Sequence, residues 1–463
     1  MLKRAIGIGF AFIGVVVGAG FASGMEAFQY FVSYGEMGMW GIVLAGVVMA
    51  FAAVAFLAFG SYFQATEHTR VFGEVSDGLS SRIMDWSAIA CMFSVGFVMF
   101  AGAGSNLEQA YGWPIWVGGV AMLIIMLLVG RLDVDKISVV LGLVTPLLII
   151  FVLIASIWTF THASVDFSAQ SEWTQANVQG ATGAPAWWLG ALNHTGLNAL
   201  CTVSMAIVIG GDNFDNKAVR IGGLIAGFLY AAMLALLVVT LFIEAQAVNG
   251  DDLPLLTVMF NIHPALGQVM TWVIFLMVFN TCLGMIYALA KRLTRNNPDR
   301  FYPVYVGACI VGFILSFIGF KALVANLYPI LGYLGLFVIA VLVYQYFRYR
   351  DRLDRESELR TAAVDLMSDE ENLDPDSEFA DMSLEELAHE SSLDDDEFRE
   401  ALESELEDAD SDSSSDDDSD NGSVNGTAAA EDSDGRSGGA ASGSSAVFGS
   451  NTDSSSGSGS TKI

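Results

Sequence analysis

Charge is nearly missing from the first 350 residues, which hold 15 Lys and Arg against 17 Asp and Glu, a net of −2. A basic face for nucleic acid is therefore excluded. Cysteine is also sparse. Cys91, Cys201, Cys282 and Cys309 are widely spaced inside apolar runs, without Cys-x-x-Cys or Cys/His clustering. That spacing argues against a disulfide framework or a zinc site and for buried small hydrophobes. No intramembrane His-Glu-x-x-His or Gly-x-Ser-x-Gly motif and no phosphate-cradling loop is present, which argues against an enzyme and against ATP as a driving force.

Hydrophobic residues are what the chain has in excess: 53% of 463, with a mean hydropathy of +0.51. A membrane span needs about 20 mostly apolar residues, because in lipid the backbone must satisfy its own hydrogen bonds. Ten segments qualify: 5–34, 38–60, 84–110, 112–130, 137–161, 189–212, 217–244, 264–291, 302–320 and 322–347. The first follows a short basic start, Lys3-Arg4, and is too long for a signal-peptide core, so it reads as a retained helix. Ten spans put every loop Lys and Arg of residues 1–350 on one side except Lys321, a positive-inside pattern with both termini in the cytoplasm of a cell membrane. Spans one to five (5–161) and six to ten (189–347) match in length. Long connections occupy corresponding places in each half (61–83 and 245–263), on opposite sides. Five spans per half give the halves opposite orientations, as an inverted repeat requires.

The first span carries "GVVVGAGFASGMEAFQYF", residues 14–31. Gly18, Gly20 and Gly24 fall near mid-depth, where glycine weakens the helix by about 1 kcal/mol and allows close backbone approach. Small-residue packing explains glycines alone. Ser23 and the ionisable Glu26 beyond them point to a break. Amides at the start of the outer half-helix suit a carboxylate, and carbonyls ending the inner half suit a cation. The sixth span, "WWLGALNHTGLNALCTVSMAIVIGGD", places Asn193, His194, Thr195, Gly196 and Asn198 in its middle, polar groups that are costly at this depth unless paired or facing a wet cavity. Two readings of Glu26 are open: coupling to a proton, cation or substrate amine, or an anchor between spans one and six, with Gln29 as a partner.

This stretch resembles the first-helix signature of the amino acid–polyamine–organocation transporter superfamily, and is more closely similar to the bacterial YkvI-type membrane proteins. The resemblance covers roughly residues 4–347, with Ala19 where serine is commoner. It implies an all-α, LeuT-like five-plus-five fold with spans one and six interrupted at a substrate site. A small organic solute, an amino acid or related amine, is then carried by cation-coupled alternating access. The backbone at Gly18, Ala19, Gly20 and Phe21, with Ser23 and Gly24, would meet the solute with Asn193, His194 and Asn198. Segments 61–83 and 245–263 would be gates, the latter with a helix at "LPLLTVMFN". Thr281 and Asn280 of span eight would join Glu26 as coupling candidates, with Na+ near Val15, Gly18 and Thr281. Lys136 is the counterpart of a proton-coupling lysine, although Asp133 and Asp135 flank it. Na+ and H+ both remain open as the coupling ion.

Residues 351–463 hold 6 basic and 34 acidic residues, then turn Ser/Asp/Gly-rich. Such a composition buries too little apolar surface to offset ordering entropy, so a mostly disordered, cytoplasmic tail is expected beyond the 1–350 membrane domain. Spaced apolar residues between Phe379 and Leu406 mark an amphipathic stretch that a protein partner could dock. Two other roles stay open: a solute channel, and a membrane sensor or scaffold signalling through this tail.

Overall fold

The computed structural model describes residues 1–76, 78–131, 144–163, 165–181, 184–367, 378–379 and 382–420, with side chains described up to 407. Among the described residues the secondary structure is helical and contains no strand. Eight helices are long and apolar enough to cross a membrane. They include α4 (Glu36–Tyr62), α6 (Leu79–Tyr111), α8 (Val144–His162), α10 (Trp187–Gly211), α11 (Asn216–Ile243) and α13 (Pro264–Leu293). The other two are the Pro298–Ile318 stretch built on α14 (Phe301–Leu315) and the Phe320–Met367 stretch, which joins α15 (Phe320–Asn326) to α16 (Tyr328–Met367). α7 (Ile115–Val129) is a shorter apolar helix of about 22 Å. Residues 137–143 of the expected fifth span, and Lys136, lie outside the described residues.

Local chemistry sets the helix ends. The Asp166 carboxylate accepts from the Ser168 and Ala169 amides to start α9 (Phe167–Asn177). Asp215 does the same for α11 through the amides of Lys217 and Ala218. These are N-caps that use up otherwise orphaned donors. Pro254 and Pro264 open α12 (Pro254–Ile262) and α13, where proline's missing N–H is no loss. α12 stands where a helix is expected within 245–263, and α5 (His68–Val75) lies within 61–83.

The first predicted span divides into α1 (Leu2–Val16), α2 (Ala19–Ser23) and α3 (Met25–Tyr30). α1, α4, α10 and α11 pack as one bundle, and α6 packs against α7 and α13 beside it. Contact is close because the crossings are glycine on carbonyl: a Cβ on Gly335 of α16 would overlap the Gly196 carbonyl of α10. Trp40, Val43, Val47 and Phe51 line one exposed stripe of α4. An unbroken apolar stripe of this kind faces lipid rather than water.

Two expectations are corrected. α10 is one continuous helix of 25 residues, not an interrupted one. Its polar side chains turn inward on the helix itself: Thr195 donates to the Ala191 carbonyl (2.8 Å), Asn198 to His194 (3.0 Å) and Thr202 to Asn198 (2.9 Å). Polar groups satisfied this way need no break. The segment after residue 350 also departs from disorder where it is described. α16 runs on to Met367, and α17 (Leu384–Glu390) and α18 (Asp395–Asp420) follow. Phe379, Leu387, Leu393, Phe398 and Leu402 bury themselves against Leu359, Ala363 and Phe214, forming a small second core that the tail's composition does not advertise. Residues 421–463 lie outside the described residues.

Candidate functional site

The break in the first span has two joints. α1 ends at Val16, and Gly18 is extended (φ −112°, ψ −157°) before α2 begins. Gly24 then takes the left-handed region (φ +74°), which favours glycine. Ser23 secures this second joint, donating to the Gly20 carbonyl (3.0 Å) and accepting from the Met25 amide (3.2 Å). Its hydroxyl is thus engaged in the turn.

The turn folds Glu26 back over α2. A Cβ on Gly20 would overlap the Glu26 carboxylate, so any larger residue there would displace it from α2. Glu26 is 8% exposed and its Oε2 lies 3.5 Å from Nε2 of His194, itself 1% exposed. His194 is the base for Glu26 that the local sequence does not supply; Gln29 is not its partner and leaves Oε1 buried without a hydrogen bond. The imidazole is held on every side. Nδ1 lies 3.0 Å from the Tyr230 hydroxyl, Nε2 lies 3.3 Å from Asn198 Nδ2, and the rings of Phe31 and Tyr30 pack at 5.1 and 5.7 Å. Nε2 cannot donate to Glu26 and accept from Asn198 at once. With Nε2 protonated the imidazole serves Glu26; with Nε2 bare it serves Asn198. Two tautomers of one ring therefore have two sets of partners.

Gly20, Phe21, Glu26, Ala27, His194, Leu234 and Leu237 surround about 160 Å³ of empty space, none of it wide enough for a water molecule. The site is closed in this conformation. At its edge a Cβ on Gly18 would lie 3.5 Å from the Thr281 hydroxyl of α13. Thr195, Thr202, Thr240, Thr271 and Thr294 each donate to the carbonyl four residues back, but Thr281 does not. α1 ends beside it, where the carbonyls of the last turn near Val15 lose their helical donors. A hydroxyl and free carbonyls are the oxygen donors a hard monovalent cation takes. Asn280 neighbours Thr281 on α13 and is partly buried. Among the described residues no cluster of three His, Cys, Asp or Glu could hold a metal.

The structure thus brings Gly18, Gly20, Phe21, Glu26, His194 and Asn198 together, with Thr281 at the margin. Asn193 points elsewhere, donating to the Pro329 carbonyl of α16 (2.8 Å) while its Oδ1 stays unsatisfied. Ala19 is buried at the start of α2. Tyr30 and Tyr230 escape sequence reading, and the Tyr30 hydroxyl is buried without a partner beside His194. Tyr230 did leave a signal: it is the one polar side chain in the run 221–239.

No family model matches the chain. It is 25% identical over 339 residues to the membrane protein YkvI of Bacillus subtilis (strain 168), covering 73% of this chain and 94% of that one. It is 27% identical over 336 residues to YyaD of the same organism, covering 72% and 94%. Among solved structures, MhsT in complex with L-phenylalanine superposes with a TM-score of 0.50 at 11% identity, covering 86% of this chain and 94% of that one.

Proposed function

We propose a function that starts from the resemblance to the YkvI-type membrane proteins, in a multi-pass membrane protein with a LeuT-like helical fold. That function is secondary transport of a small organic solute, an amino acid or related amine, by cation-coupled alternating access. The observation that carries this reading is a buried carboxylate, Glu26, folded onto the break of the first span and facing His194. Ionisable groups are costly at this depth unless a function retains them. The solute binds at the α2 amides and the Glu26–His194 pair, with Phe21, Tyr30, Phe31 and Tyr230 as its apolar walls. A closed site favours alternating access over a channel, which needs a continuous polar path. MhsT, whose fold this chain shares, is described with a bound amino acid, which supports the solute class.

Coupling follows from the two neighbours of the break. Protonation of the Glu26–His194 pair changes which partner the imidazole serves, so solute and proton are linked through one ring. Thr281 and the end of α1 form a second cation position suited to Na+. The basic end of the bundle, bearing Arg4 and Arg70, faces the cytoplasm by the positive-inside pattern.

The test is a thermal-shift screen of amino acids and amines in Na+ and in K+, at two pH values, on the wild type and on Glu26→Gln. A stabilising solute whose effect depends on Na+ or on pH is expected, and Glu26→Gln should remove the pH dependence. If no solute and no ion stabilises the protein, the transporter reading loses its support.

A further inference from the structure

The segment after residue 350 is fastened to the basic end of the bundle by two kinds of contact. The inner kind is a buried anchor. Arg360 of α16 is 2% exposed, donates to the Ser61 and Tyr62 carbonyls at the end of α4 (2.9 and 3.0 Å) and to the Phe214 carbonyl (3.2 Å), and lies over the Phe214 ring at 4.8 Å. Glu356 neutralises it at 2.9 Å and also takes the Ser391 hydroxyl (2.7 Å) and the Ser392 amide (3.0 Å). A cation at helix-end carbonyls is favourably placed, and removing either member of a buried pair would strand the other.

The outer kind consists of two ion pairs, one exposed (Arg70–Glu397) and one half-buried (Arg4–Glu405), and each reaches a helix at the basic end of the bundle. Glu397 of α18 holds Arg70 of α5 through two bonds (2.8 and 3.2 Å). Glu405 of α18 holds Arg4, near the start of α1, and Arg4 also donates to Asn213 (3.1 Å) in the turn after α10. α1 is a lever: its far end is the joint at Val17–Gly18, beside Glu26, and its near end is tied to the tail. The small core around Phe398 and Phe214 sits between the two ties.

We propose that residues 382–407 form a latch that keeps the basic end of the solute path shut by clasping α1 and α5, and that screening of its ion pairs releases it. This rests on the transporter reading for its consequence, but its geometry is independent. Pairs that solvent reaches are weak and salt-sensitive, whereas the Arg360 anchor is buried, so the latch opens without the tail leaving the protein. YkvI and YyaD match only 73% and 72% of this chain while contributing 94% of their own lengths, as expected for a control element added to a shared transport unit.

The test is hydrogen exchange on the full chain in nanodiscs, without solute, from 20 to about 500 mM KCl. Wild-type exchange in 2–16 and 68–75 should rise three- to tenfold with salt, while α13 stays constant. The double reversal Glu397→Arg with Glu405→Arg should show the fast exchange already at low salt. Adding Arg4→Glu and Arg70→Glu should restore protection. Exchange in α1 and α5 that ignores both salt and charge reversal would overturn the latch; should the variants fail to fold, the wild-type salt series decides alone. Fast exchange on release in a protein that no solute stabilises would sink the transporter reading and leave the latch standing.

Discussion

The first and sixth spans face each other across the site and solve the same problem in opposite ways. Both carry polar groups at mid-depth. The first breaks at Val17–Gly18 and again at Gly24, exposing backbone; α10 stays whole, with Thr195, Asn198 and Thr202 bonded to its own carbonyls and Asn193 to the Pro329 carbonyl of α16. What distinguishes them is where the polarity resides. In α1–α3 the useful groups are main-chain and one carboxylate; in α10 they are side chains, which a continuous helix can present. Here one broken helix stands opposite an intact one.

The largest effect that would break this contrast comes from Gly20→Leu. Its side chain would occupy the place of the Glu26 carboxylate, so all solute-dependent stabilisation should vanish in a thermal-shift assay. Next is Gly24→Ala, which places a Cβ at φ +74°; a loss of about 1–2 kcal/mol is expected from the left-handed backbone, read as a lower thermal midpoint. A smaller, pH-dependent effect separates the site from the rest of the molecule. Burial and the neighbouring Arg292 push the His68 imidazole down to about 4 from an ordinary 6.5. The folded protein then binds fewer protons than the unfolded chain between those values. The stability from His68 is complete above about pH 6.5 and is lost as pH falls toward 4. Acid sensitivity that survives Glu26→Gln should therefore disappear in His68→Gln, followed by thermal unfolding from pH 7 to pH 4.5. The smallest effect is expected in α10, where Thr195→Val removes a bond to its own helix and a contact with the Tyr230 hydroxyl and should shift stability by about 1 kcal/mol. A much larger loss would show that this hydroxyl does more than close on Ala191 and touch Tyr230.

Much of this was legible. The glycines of the first span and the placement of Glu26 follow from residue type and depth, whereas the nearness of Thr281 to Gly18 was reached only through the family resemblance. The intact sixth span was not legible, because Asn, Thr and Ser signal polarity without saying whether they are satisfied locally or by a ligand. The Glu26–His194 pair was hidden for a different reason: 168 positions separate its members, and only the packing of α3 against α10 joins them. In the tail the spaced apolar residues between Phe379 and Leu406 were legible as an amphipathic stretch, but the surface they pack on, Phe214 and Leu359, was not.

Arg360 redraws the border of the membrane domain. The apolar run stops near residue 347, but the end of α4 and the turn after α10 are completed only by a guanidinium thirteen positions further on. A truncation beginning at residue 351 therefore uncaps a transmembrane helix, and its loss of activity would say nothing about control. One beginning after residue 407 spares both the cap and its clasp, and removes only the polar remainder.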